Sequence, residues 1–118
     1  MRARSVVLAI AIAAGVSAPA YAGNWGAIDC AKAKSPDEKA ICASTELVQL
    51  DAQMSTEYGL LKGFLAMGGR GALMDAQKDW IKARATCAAD TACLTRTYND
   101  RIAALEKEFD RIKSNGPF

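Results

Sequence analysis

The 118-residue chain contains no histidine. That absence excludes a Ser-His or Cys-His nucleophile pair, which needs imidazole as its base. It also leaves the four cysteines, Cys30, Cys42, Cys87 and Cys93, without the nitrogen ligand that zinc commonly takes, and their spacing does not fit a zinc site. Oxygen ligands do not cluster at a calcium-binding spacing either. No segment alternates apolar and polar residues as a half-buried strand would. Internal repeats and low-complexity stretches are absent. The chain also lacks an excess of positive charge. Its formal net charge of +2 belongs to Arg2 and Arg4, and residues 23–118 hold 13 basic and 13 acidic side chains. A nucleic-acid partner would need a basic patch, so none is expected. Carboxylate pairs do occur at Asp75/Asp79 and Glu106/Asp110, four apart. They sit beside Lys78, Lys82, Lys107 and Arg111, the pattern of solvated helix faces rather than of acid–base catalysis. The reading is of a protein that is not an enzyme and takes no cofactor and no metal.

No apolar run is long enough to cross a bilayer. Ser5–Val16 is about a dozen residues, against roughly 20 for a spanning helix. With Arg2 and Arg4 before it and Ala20-Tyr21-Ala22 after it, residues 1–22 read as a cleaved secretory signal. Gly23 would begin the mature protein, a single domain over residues 23–118. No cysteine follows the cleavage site directly, so no lipoprotein signal and no membrane anchor are expected in the mature form. The expected location is the bacterial periplasm or the exterior.

What remains is helical. Ser35-Pro36-Asp37-Glu38 is a helix start, with Ser35 as N-cap, Pro36 at the first position and Glu38 closing a capping box. The short helix it opens should end near Ala43. Ser44 caps a second helix whose apolar stripe is Leu47, Leu50, Met54, Tyr58, Leu61 and Leu65. Gly68-Gly69, with Gly71 behind, predicts its end. A third helix is expected from about Ala72 to Ala88, and a fourth from about Thr91 to Ser114, stopped by Asn115-Gly116-Pro117. The fold class predicted is all-α: a small, disulfide-stabilised antiparallel helical bundle of three long helices plus a short N-terminal one. Four cysteines in a small exported domain indicate two disulfides, for which three pairings exist. Cys30–Cys42 and Cys87–Cys93 are favoured. The second requires a turn between its cysteines, with Asp90 as the next N-cap. Loop entropy assigns about 2.9 and 2.4 kcal/mol to the two bridges.

The third helix carries the most distinctive run. Gln77, Trp80, Arg84 and Cys87, at steps of three, four and three, form one stripe that should face a core. The fourth presents Leu94, Tyr98, Ile102, Leu105, Phe109 and Ile112. A glutamine and an arginine on an inward stripe need partners, because burial is otherwise costly. Asp51, beside Leu50, is the first choice as acceptor for Arg84, and Glu38 is the rival. Tyr58 and Trp80 are the expected core anchors.

Asp29-Cys30, Glu38, Ile41-Cys42, Leu47, Leu50-Asp51, Tyr58, Gln77, Trp80, Arg84, Cys87, Cys93-Leu94, Tyr98, Arg101-Ile102 and Leu105 together resemble the lysozyme inhibitor LprI-like N-terminal domain family. The match covers about Ile28 to Leu105. The resemblance implies a small exported helical domain with disulfides, and it makes a lysozyme-type muramidase the candidate protein partner. The alternative is a non-inhibitory envelope interaction, accessory or immunity-type module. The Gly68-Gly69-Arg70-Gly71 segment is expected to be an exposed hairpin turn. Arg70, its only charged side chain, is the candidate partner-binding residue.

Overall fold

The computed structural model describes residues 27–115; the expected signal sequence and the expected Gly116-Pro117 stop lie outside them. A 3-10 turn, Cys30–Lys32, precedes four helices: α1 (Pro36–Cys42), α2 (Thr45–Phe64), α3 (Met67–Thr86) and α4 (Thr91–Ser114). No strand occurs among the described residues.

Each start but one has a side-chain cap. At α1 the Glu38 carboxylate accepts from the backbone N–H groups of Lys34 and Ser35, at 2.9 and 3.4 Å. The Ser44 hydroxyl accepts from the Leu47 N–H at 3.3 Å, and Asp90 accepts from the Cys93 N–H at 3.1 Å. These caps satisfy donors that the first helical turn leaves unpaired. Helix α3 has no such cap and starts five residues earlier than its expected position at Ala72. Gly68, Gly69, Arg70 and Gly71 are therefore helical, and the hairpin turn is Leu65-Ala66. The prediction treated the glycines as a stop. A stop of that kind needs a residue with positive φ, and none of Gly68, Gly69 and Gly71 has one.

Consecutive long helices run antiparallel, so α2 and α4 are parallel neighbours. Asp51 meets Tyr98 at one end of their seam and Phe64 meets Phe109 at the other. This seam is the most extensive in the bundle. Ser55 and Gly59, small and buried at a four-residue spacing, keep the facing side of α2 low there. The core follows the expected stripes: Leu47, Met54, Tyr58 and Leu61 from α2, with Leu94, Tyr98, Ile102 and Leu105 from α4. Ile41 of α1 and Leu73 of α3 close it. Leu50, Leu65, Phe109 and Ile112 pack at its margin.

Both favoured disulfides are present. Cys30–Cys42 ties the N-terminal segment to the end of α1, and Cys87–Cys93 spans the α3–α4 turn. That turn contains Ala88 at φ 49°, left-handed backbone where a helix commonly ends on glycine. A side chain there costs about 1–2 kcal/mol. Glycine would relieve this at an entropic cost of about 0.5–1 kcal/mol in the unfolded chain. Ala88→Gly is therefore predicted to stabilise the oxidised protein by about 0.5–1 kcal/mol, read as a rise in the urea midpoint at unchanged m-value. A lower midpoint would show that Ala88 relieves no strain when trimmed.

Candidate functional site

The polar side chains on the inward stripes meet in one buried network. Arg84 projects from α3 and donates from Nε to Asp37 Oδ2 at 2.9 Å. The two side chains are only 5% and 2% exposed. The guanidinium carbon also lies 5.5 Å from the centroid of the Trp80 ring, one turn back on α3. Trp80 is half-buried and donates from Nε1 to the Thr97 carbonyl at 3.0 Å. Its ring meets Tyr98 edge-on at 5.1 Å between centroids.

Asp51 is not the partner of Arg84, contrary to the first expectation, and neither is the rival Glu38. Both Asp51 oxygens are otherwise engaged. Oδ1 accepts from the Tyr98 hydroxyl at 2.8 Å and Oδ2 from the Ile28 N–H at 3.0 Å. Glu38 caps its own helix. Asp37 replaces them because α1, held by Cys30–Cys42, lays its inward face against α3 and α4. Asp37 and Ile41, four apart, are the buried residues of that face. The i, i+4 spacing of an aspartate and an isoleucine was the available signal for this acceptor.

Two helical turns before Arg84, Gln77 links three helices. Its Nε2 donates to Met54 Sδ at 3.2 Å, and its Oε1 accepts from Arg101 Nε at 2.9 Å. Arg101 lies near Tyr58, and its Nη2 is buried without a partner among the described residues. Burial lowers the Arg101 pKa, and Tyr58 partly offsets this.

Burial also acts on Asp37, pushing its carboxyl pKa up. Hydrogen bonds from Ser35 and Arg84, the Arg84 charge and the Glu38 N–H outweigh it, so the net pKa lies below the ordinary value. The Tyr98 phenol is driven well above its ordinary range, first by burial and then by the Asp51 carboxylate, with Arg84 opposing. Tyr98 thus stays a neutral donor to an acceptor carboxylate. Apart from Arg101 Nη2, these side chains are paired within the network, and Arg84 and Glu38 also line a surface pocket with Ile28 and Asp29. Arg70 lies apart from them, exposed in the first turn of α3, with a 3.4 Å contact from its Nη2 to the Leu65 carbonyl.

A family model described as lysozyme inhibitor LprI matches residues 30–113. The chain belongs to the LprI family. The match begins at the first disulfide cysteine and ends in the last turn of α4, enclosing both bridges and the paired side chains of the network. Lipoprotein LprI of Mycobacterium bovis is 32% identical over 81 residues, covering 66% of this chain and 40% of that protein. Lipoprotein LprI of two Mycobacterium tuberculosis strains matches at the same identity and coverage. The chain thus spans about 40% of the length of these LprI relatives. No solved structure matches.

Removing Arg84 strands a buried carboxylate, a change that typically costs about 3–5 kcal/mol. Arg84→Ala is predicted to lose that much, against less than about 0.5 kcal/mol for Lys82→Ala on the solvated side of α3, both read by denaturant unfolding. Equal losses would mean that the ion pair adds nothing. A depressed carboxylate pKa gives stability that is present above the unfolded value, near 4, and is lost as pH falls through the folded value. The wild-type protein should therefore lose stability as pH drops below about 4. Asp37→Asn, lower at neutral pH, should lose less over the same interval. Parallel acid profiles would remove Asp37 from that loss.

Proposed function

We propose that this is an exported protein of the bacterial envelope or exterior that binds a lysozyme-type muramidase and blocks its cleft. The family match over residues 30–113 carries the reading. The design of the interior supports it. The paired side chains of the network serve the packing of the helices, which favours recognition through the surface over catalysis. Two disulfides suit a small domain working outside the cytoplasm. No helix among the described residues is long and apolar enough to cross a membrane.

A second reading is an envelope interaction module with another protein partner. Its support is the coverage: more than half the length of the LprI relatives lies beyond the matched segment, and muramidase binding could reside there. Titrating the purified, oxidised protein into several lysozyme types during peptidoglycan hydrolysis separates the two. Loss of activity of at least one type at near-stoichiometric ratio is expected. Full activity of every type at a hundredfold excess would eliminate the inhibitory reading and leave the interaction module.

A further inference from the structure

The α2–α3 end of the bundle departs from what the fold needs. Met67 is 88% exposed and Leu60 47%, both close to the Leu65-Ala66 turn, whereas Phe64 packs edge-on against Phe109. Large apolar side chains clustered on a small monomer mark a contact surface. Beside them Gly68, Gly69 and Gly71 occupy the first turns of α3, where glycine is unfavourable relative to alanine. None of the three has positive φ, so no turn geometry demands them. A Cβ at Gly68 or Gly71 would meet nothing within 4 Å, so no packing demands them either. The same holds for Gly63 in the last turn of α2. A Cβ at Gly69 would meet the Leu65 side chain at 3.4 Å, whereas Gly63, Gly68 and Gly71 weaken their helices without serving the interior. What they provide is a bare backbone surface that another body can approach closely.

Charge narrows the identity of that body. Between Lys62 and Asp75, Arg70 is the only charged side chain. It is exposed, and among the described residues its side chain has one long contact, to the Leu65 carbonyl. A thin apolar tip with one guanidinium complements a concave surface that has apolar walls and carboxylates at its base. A glycosidase cleft has that chemistry, since two carboxyl groups flank the bond to be cut. We infer that the α2–α3 tip is the part that enters the muramidase cleft: Met67 lies against its walls, and Arg70 faces its carboxylates. This assignment rests on the muramidase-blocking reading. Arg70 keeps the role expected of it, on a helical turn rather than on a loop.

The fold and the cleft place opposite demands on the glycines, and that opposition is the test. Wild type, Gly68→Ala/Gly71→Ala, Met67→Glu, Arg70→Glu and Lys82→Glu are titrated against the same panel of lysozyme types. Thermal unfolding and sedimentation are measured on each. Lys82 lies about 22 Å along α3 from Met67 and serves as the control. The glycine double variant is expected to unfold several degrees higher and yet bind about tenfold more weakly or worse. Met67→Glu and Arg70→Glu should weaken binding by about thirtyfold or more with unchanged unfolding, and Lys82→Glu should bind as wild type. A stabilised double variant with full affinity would overturn the assignment and leave muramidase binding standing. So would a wild-type dimer that Met67→Glu dissociates, since the occupant of the tip would then be a second copy. Wild type that binds no lysozyme would overturn both readings together.

Discussion

The Arg84–Asp37 pair is the contact on which the arrangement of the bundle turns. Removing two charges from water is expensive, and a buried pair recovers that only when its remaining hydrogen-bonding capacity is also met. Here the conditions are supplied from several directions. Trp80 lies beside the guanidinium, Ser35 and the Glu38 N–H support the carboxylate, and Tyr98 links Arg84 to the second buried acid, Asp51. The pair joins residues 47 apart in sequence. It specifies where α1, a helix of seven residues, must dock. So short a helix is not stable alone, and one buried salt bridge with Ile41 gives it a single seat.

The disulfides act on a different scale. Cys30–Cys42 and Cys87–Cys93 close short loops and order local geometry, an N-terminal segment in one case and a helix–helix turn in the other. Neither crosses the α2–α4 seam, where most of the apolar core lies. The long-range order of the molecule therefore depends on packing along that seam and on the buried polar network. The bridges mainly limit the freedom of the unfolded chain. The second also holds Ala88 in backbone that alanine disfavours.

The helices, the inward stripes, the caps at Ser44 and Asp90 and the two bridges were legible because each has a local signature: a period of three and four, an oxygen-bearing cap, a cysteine spacing. Two features were not. The partner of Arg84 depended on where α1 docks, which no local pattern encodes, and Asp51 was the acceptor nearest in an α2–α3 hairpin drawn without α1. The start of α3 was missed because glycine was read by its usual role. Five residues, three of them glycines of weak propensity, join the helix once Leu65 and Leu73 pack on the core at either side of them, so tertiary packing overrides local preference.

Both departures from local rules lie on α3, and they differ in kind. Gln77 and Arg84 are polar residues on a buried face, but each finds partners inside the fold, so the anomaly is resolved there. Gly68, Gly71 and the exposed Met67 at the start of the helix find no such resolution in the interior. A chain whose local choices otherwise agree with its fold is expected to break those rules where another demand is being met. When the fold explains one anomaly and leaves the other, the second points outward. That reasoning separates the scaffold, held by Arg84 and its neighbours, from the surface proposed to meet a partner.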